Sequence, residues 1–497
     1  MLLASCTVGP DYVKPTVEVP STFKEMEEWK VAEPRDDVLR GAWWENFGDP
    51  SLNALEEQVN LSNQSVAAAE AQFRLARALV EAARAAYFPT LTIGASFTRS
   101  LASANVGGGT GTATSGAVSK TPAKSSGTNT APSPVSNFRL PAEAAWEPDL
   151  WGRVRRSVEA SRASAQASAA DLETTRLLVQ SELAQDYFQL RTLDSLKQHL
   201  DETAAAYRKF LELTKNRYSN GVASRADVLQ AEAQLKTTEA QAIDIGVQRA
   251  QTEHAIALLV GRPASVFSVA AMPLASVPPV VPAGLPSELL ERRPDIASAE
   301  RHMAAANAQI GVALAAYYPT VTLSASGGFE ASSLSKWLSW PSRFWSVGPS
   351  ITETVFDGGL RRSQTAQARA AYDATVASYR ETVLTGFQEV EDNLAALRIL
   401  EQEAGVQAEA VNASEQSLAV ITNQYRAGTV SYLNVLVAQT VALSNQIAAI
   451  NILGRRMTAA VLLIKALGGG WSTSALPSVD GGPEPRPGSK TPRPDSV

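Results

Sequence analysis

A chain of 497 residues, 45% hydrophobic but only 7% aromatic and carrying a formal net charge of −6, is long enough for roughly three domains of ~150 residues. Its long stretches rich in Ala, Gln, Ser, Leu, Glu and Arg instead suit extended helices joined along small-residue seams. Mild acidity without a basic run argues against nucleic acid as a partner. No run reads as the ~18 apolar residues of a membrane-spanning helix, so a membrane crossing would fall to strands.

The chain opens on Leu3-Ala4-Ser5-Cys6, and Cys6 is its only cysteine, so no intramolecular disulfide can form. An apolar residue, two small ones and then Cys resemble a bacterial lipobox, in which the Cys carries covalent lipid such as palmitate. Thr7 rather than Asp in the next place implies, by the same resemblance, transfer to the outer membrane. A secretory signal needs a basic start and ~7–15 apolar residues, which residues 1–5 do not supply. They are read as the remnant of a truncated signal peptide, and residues 6–50 as a lipidated, extended tether. A free terminal thiol is the other reading of Cys6. No cofactor beyond the lipid is expected.

From residue 51 onward the sequence runs through one design twice. Ser65-Val66-Ala67-Ala68-Ala69-Glu70 leading into Ala85-Ala86-Tyr87-Phe88-Pro89-Thr90 returns as Asp295-Ile296-Ala297-Ser298-Ala299-Glu300 leading into Ala315-Ala316-Tyr317-Tyr318-Pro319-Thr320. Tyr218, Gly221, Asp227 and Gly261 return as Tyr425, Gly428, Asn434 and Gly468 at a shorter spacing, so the first copy holds an insertion. The insertion is the Gly-, Thr-, Ser- and Ala-rich segment 106–136, which cannot bury enough apolar surface to order itself. The copies are placed at 51–262 and 295–469, with a linker at 263–294 and a disordered tail at 470–497.

In each copy, period-two alternation follows the Tyr-(Phe/Tyr)-Pro-Thr sequence. Leu91, Ile93, Ala95 and Phe97 alternate with Thr90, Thr92, Gly94 and Ser96, and Val321, Leu323 and Ala325 with Thr322, Ser324 and Ser326. Strands are predicted at about 90–100 and 137–147, with a loop at 101–136, and at about 320–330 and 344–356. Each has the ~9–11 residues of a tilted membrane strand, and Glu143 and Glu353 within them are expected at the lumen or its rim. Trp337, Trp340, Phe344 and Trp345 stand where an interfacial aromatic belt would lie. Four strands cannot close a barrel, so strands in lipid would require an oligomer; a small soluble β-subdomain is the alternative.

Proline-free stretches follow the strands. Arg153 to Tyr218 would form one helix of ~100 Å. Heptad spacing at Leu436, Leu443, Ile450, Met457 and Ile464 predicts a coiled coil, with a partner seam at Val406, Ala410, Ala413, Ser417, Val420 and Gln424. Gly221 and Gly428 mark the tight tips of two hairpins. Arg292 and Asp295 are read as structural, and His199, His254 and His302 are isolated on helices, without metal-ligand spacing. No enzyme is expected.

The ordered set Cys6, Trp43-Trp44-Glu45-Asn46-Phe47-Gly48-Asp49-Pro50, Tyr87-Phe88-Pro89-Thr90, Asp149-Leu150-Trp151-Gly152-Arg153, Leu285 through Ile296, Val355-Phe356-Asp357-Gly358-Gly359 and Tyr425-Arg426-Ala427-Gly428 resembles TolC-like outer-membrane factors. Within these it is most similar to the NodT-type lipoproteins of resistance-nodulation-division (RND) efflux pumps. The resemblance implies a mainly α fold with a β-barrel part. In such a homotrimeric duct, four membrane strands per protomer make a 12-stranded barrel continued by a long α-helical coiled-coil periplasmic barrel. It implies residence in the outer membrane of a Gram-negative bacterium, lipid-anchored and extending into the periplasm. Its partners would be outer-membrane lipid, a periplasmic membrane-fusion adaptor and an inner-membrane RND transporter. The expected function is a passive conduit for drugs or other small molecules, of the kind that underlies multidrug resistance. A duct for type I protein secretion or metal efflux, or a non-channel coiled-coil or adaptor lipoprotein, are the alternatives.

By the same resemblance Gly221 and Val222 with Gly428 and Thr429 are the adaptor-docking tips. Tyr425 and the stretch Val430–Val437 line the periplasmic gate. Better-known relatives carry an Arg two residues after the tip Gly and an Asp nine after it; here Val430 and Val437 stand in those places. The charged entrance gives way to an expected hydrophobic constriction, with Tyr218, Arg225, Asp227 and Asn434 as polar ties. Ordinary coiled-coil packing is the other reading.

Overall fold

The computed structural model describes residues 7–26, 41–101, 133–275, 277–279, 281 and 286–475. Cys6, the signal remnant, residues 102–132 of the expected loop and residues 476–497 of the expected tail lie outside the described residues. In chain order the elements are α1 (Pro50–Ser62), α2 (Gln64–Ala85), β1 (Thr90–Ile93), β2 (Ser96–Ser100), β3 (Val135–Trp146), α3 (Arg153–Ser219) and α4 (Arg225–Leu259). There follow α5 (Leu289–Arg292), α6 (Pro294–Ala315), β4 (Thr320–Ala331), β5 (Arg343–Thr352), α7 (Leu360–Ala427) and α8 (Tyr432–Ala466). Helix lengths recur: α2 and α6 have 22 residues each, α3 and α7 have 67 and 68, and α4 and α8 have 35 each. Two compact units emerge. One contains the strands, with residues 81–158 and 308–368, and the other contains most of the helices.

The strand unit is an antiparallel sheet in the order β1-β3-β4-β5, with β2 also paired to β3. The strand expected at 90–100 breaks at Gly94-Ala95, where Gly contributes no packing side chain and weakens the ladder. The return strand begins at Val135, and β5 ends at Thr352, so Glu353 lies beyond it, paired with Arg361 at 3.0 Å. One face carries Leu91, Ile93, Leu140, Ala144, Leu323, Val347 and Ile351 and the other Thr90, Thr92, Glu143, Ser324 and Ser326, as cross-strand register dictates. Apolar side chains here stand open to solvent: Leu91, Ile93 and Ile351 are each 71% exposed and Val347 is 73% exposed.

Strand-to-helix junctions in the two halves use the same chemistry. The Asp149 carboxylate accepts from Val154 N, Arg155 N and Arg155 Nε, and Asp357 accepts from Gly359 N, Arg361 N and Arg361 Nε. Both satisfy helix-start donors that lack an intrahelical acceptor. The Arg361 guanidinium first, then the two backbone donors, pull Asp357 down to about 2.

In the helical unit, Trp43, Leu52, Val59, Tyr187, Phe188, Ile256, Tyr379, Val383, Met457, Val461 and Ile464 form the main core. Asp49 caps α1 through Ser51 N and Leu52 N and also accepts from the Tyr187 hydroxyl, which accounts for the Gly-Asp-Pro in the sequence. Arg293, rather than its neighbour Arg292, is the buried hub. It donates to both oxygens of Asp295, to Glu389 at 2.7 Å and to the carbonyl of Ala466 at 3.0 Å. Among the described residues one helix, α8, is long and apolar enough to cross a membrane, contrary to the sequence expectation. Its apolar character is spent on packing, since Met457, Ala460, Val461, Leu463 and Ile464 are fully buried.

The expected α7 seam is corrected. Val406 is 70% and Val420 is 55% exposed, and the row that packs within the chain runs one residue later: Val411, Ser414, Leu418, Ile421 and Tyr425. Both rows are small or apolar at heptad spacing, so periodicity alone fits either frame. The expected row is left mostly exposed by the single chain.

Candidate functional site at two helical tips

Both hairpins of the helical unit end in the same backbone device. At the first, Val222 N donates to Arg217 O at 2.8 Å and Gly221 N to Tyr218 O at 2.9 Å; at the second, Thr429 N donates to Gln424 O and Gly428 N to Tyr425 O, both at 3.0 Å. These paired bonds are the Schellman closure, which needs a left-handed residue just past the helix. Gly221 and Gly428 supply it with φ of +75° and +80°.

The helices that leave the tips start differently. Ser224 and Asp227 form a full capping box: Asp227 N donates to Ser224 Oγ and Ser224 N to the Asp227 carboxylate. Ser431 makes no side-chain cap, and Asn434 in the place of Asp227 leaves the box unformed. Asp227 therefore serves its own turn.

Beneath the tips lies an aromatic cluster. Phe210 stacks on Tyr425 with centroids 5.5 Å apart and sits 5.7 Å from Tyr432, and Tyr425 meets Tyr432 edge-on at 5.9 Å. Such pairs contribute about 0.5–1.5 kcal/mol each beyond area burial. The Arg217 guanidinium lies 4.7 Å from the Tyr425 centroid and donates to Arg426 O at 3.0 Å, which ties one tip to the other. Tyr207 donates its hydroxyl to Gln439 O at 3.3 Å. Burial, reinforced by Tyr207, Tyr425 and Asp227, pushes the Tyr432 hydroxyl above the usual phenol range.

Of the residues expected at the gate, Tyr425 is buried in this cluster and Val430 packs partly against it. Tyr218 and Val437 are exposed, as are Arg225 and Asn434, and Asp227 is half-buried. Val222 and Thr429 are exposed on the tips themselves. Sequence reasoning missed Tyr207, Phe210, Arg217 and Tyr432. The sequence shows only that 207, 210, 214 and 217 keep one face of α3, and that pattern does not say which helix the face meets. Chemically the tips present two blunt turns carrying Val222 and Thr429 beside the exposed Asn220, Arg225 and Arg426, backed by an aromatic base. Such a surface suits docking and packing.

Comparison with known proteins adds an independent line. A family model described as outer membrane efflux protein matches residues 55–262 and 285–469. The chain is 30% identical over 474 residues to the probable efflux pump outer membrane protein TtgC of Pseudomonas putida, covering 95% of this chain and 94% of that one. It is 31% identical over 448 residues to nodulation protein T of Rhizobium leguminosarum bv. viciae, covering 88% and 85%. Among solved structures, the outer-membrane channel OprN superposes with a TM-score of 0.83 at 31% identity, covering 94% of this chain and all of that one.

Proposed function

The chain belongs to the outer membrane efflux protein family, and we propose from this that it is the outer-membrane channel of a tripartite efflux system, a passive conduit for small molecules. The observation that carries the reading is the sheet. It exposes an apolar face at Leu91, Ile93, Val347 and Ile351, opposes it with a Thr/Ser face, and leaves β1 and β5 as outer strands. Apolar outside and polar inside is the pattern of a lipid-embedded barrel, and unpaired edges in lipid demand neighbouring copies. Four strand passes per chain then give a 12-stranded barrel in a homotrimer. The exposed row on α7 supports the same association, since Val406 and Val420 would be covered by a second copy.

In this reading Cys6 carries the lipid anchor. Gly221, Val222, Gly428 and Thr429 receive the periplasmic adaptor, which joins the duct to an inner-membrane RND transporter. Val430 and Val437, with Tyr218, Arg225, Asp227, Tyr425 and Asn434 around them, form the periplasmic constriction, which excludes water by apolar walls.

Complementation tests the function. Expression in a host lacking its own outer-membrane efflux channel, with a cognate adaptor and pump, should restore drug resistance. Gly221→Trp with Gly428→Trp should abolish it while the assembled protein stays intact. Resistance that stays at the level of the empty host with wild-type protein correctly in the outer membrane would remove the reading.

A further inference from the structure

The polar face of the sheet is not uniformly neutral. In the half of β3 nearer residue 135, Arg139 stands directly across from Glu330 on β4, and Glu143, two repeats along the same face beyond Pro141, stands across from Ser326. Arg139 lies 3.9 Å from Glu330 and 3.8 Å from Glu143, ion pairs too long to be direct hydrogen bonds. Glu330 also accepts from Asn137 at 2.8 Å, and the ring of Phe344 on β5 supports the Arg139 guanidinium at 5.1 Å. All five side chains share one face by register. The three charged ones keep 37–52% of their side chains exposed.

A purely structural role would contribute only ~0.2–1 kcal/mol per cross-strand pair. Two features point further. The carboxylates outnumber the guanidinium, so the cluster keeps a net negative charge wherever it faces water. Among the described strand residues these three are also the charged side chains of that face, the rest being Thr, Ser, Gly and Ala with Val135, Asn137, Pro141 and Phe344.

We propose that Arg139, Glu143 and Glu330 are the charge-selecting residues of the sheet's polar face, favouring passage of cationic over anionic solutes. This rests on the reading that the polar face lines a water-filled conduit. Copies of the cluster brought around one lumen would superpose their fields within about a Debye length of ~8–10 Å, and low-dielectric walls would focus that field on a passing ion. Arg139 pairs with both carboxylates and offsets one of their two charges, so its removal should strengthen cation preference.

The test uses full-length protein purified from outer membranes and reconstituted in planar bilayers at low ionic strength. Reversal potentials in a tenfold KCl gradient give the potassium-to-chloride permeability ratio. It should favour potassium in the wild type, fall about twofold or more in Glu143→Gln with Glu330→Gln, and rise in Arg139→Gln. Because a constriction elsewhere can dominate conductance, a second readout is local. Ser326→Cys, opposite Glu143, is reacted with cationic and anionic methanethiosulfonate reagents. The cationic-to-anionic rate ratio should exceed that of a free thiol, drop when the two glutamates are neutralised and rise when Arg139 is. Ratios and reversal potentials unmoved by any of the three substitutions overturn the selectivity assignment while leaving the conduit standing. Failure of every water-soluble reagent to reach the Ser326→Cys thiol overturns the conduit reading and this proposal together.

Discussion

Arg217 of the first helical tip stacks on the ring of Tyr425 in the second, 4.7 Å from its centroid, while its Nη1 donates to the carbonyl of Arg426 at 3.0 Å. One side chain thus bridges two turns that are far apart in sequence. A cation–π contact of this exposure contributes about 0.5–1 kcal/mol, and a charge-assisted hydrogen bond about 1.5 kcal/mol or more. Arg217→Gln should speed amide hydrogen exchange across residues 425–432, and Arg217→Lys should restore only part of the protection, because an ammonium cannot stack and donate with the same planar geometry. Unchanged exchange in Arg217→Gln would mean that the two tips hold together without it.

The tips also show what could be read from sequence and what could not. Gly221 and Gly428 were legible because a Schellman closure demands a residue free to take positive φ, and Tyr-x-x-Gly repeats in both halves. The aromatic base was not, since Phe210 and Tyr432 belong to helices whose pairing no local pattern specifies. The α7 seam failed for a related reason: Val406 and Val420 form as good a heptad row as Leu418 and Tyr425, and only burial distinguishes the two. Strand existence followed from alternation, but the break at Gly94 and the early end of β5 before Glu353 depend on pairing with β3 and β4.

The two rows on α7 make opposite predictions. Leu418→Lys places a charge among Phe210, Ile421 and Tyr425 and should destabilise the hairpin inside each chain by several kcal/mol. Val420→Lys leaves that core untouched and charges the open row, so it should reduce oligomer size by light scattering while circular dichroism keeps its helical signal. An oligomer of wild-type size in Val420→Lys would mean that the open row is not a contact between copies.

Glycines that look alike in sequence should respond differently to alanine. A Cβ on Gly261 would collide with the carbonyl of Ser62, and one on Gly468 with the carbonyl of Arg292, and both have positive φ. Gly221 has positive φ too, but among the described residues a Cβ there would meet nothing within 4 Å. Gly261→Ala and Gly468→Ala should each lose about 2 kcal/mol or more, combining strain with displaced backbone, whereas Gly221→Ala should lose only the ~1 kcal/mol of the left-handed conformation. Thermal melting in detergent separates these cases. Equal losses at all three positions would assign the whole effect to φ.

Glu56 gives the protein a pH dependence with a definite sign. It is fully buried on α1 between Leu52 and Val59, and among the described residues neither carboxylate oxygen has a hydrogen-bond partner. Burial pushes its pKa well above 4.5. The folded chain therefore holds a proton that the unfolded chain releases. The resulting stabilisation is complete below the unfolded pKa and is lost as pH rises through the folded one. Glu56→Gln keeps the shape and removes the ionisation. Its melting temperature relative to wild type should rise steadily from pH 5 to pH 8, and taking the difference at each pH cancels other titrating groups such as Asp186, which burial and Glu182 raise to about 6. A difference that stays constant over that range would mean that Glu56 finds compensation in the folded state and does not govern the loss of stability with rising pH.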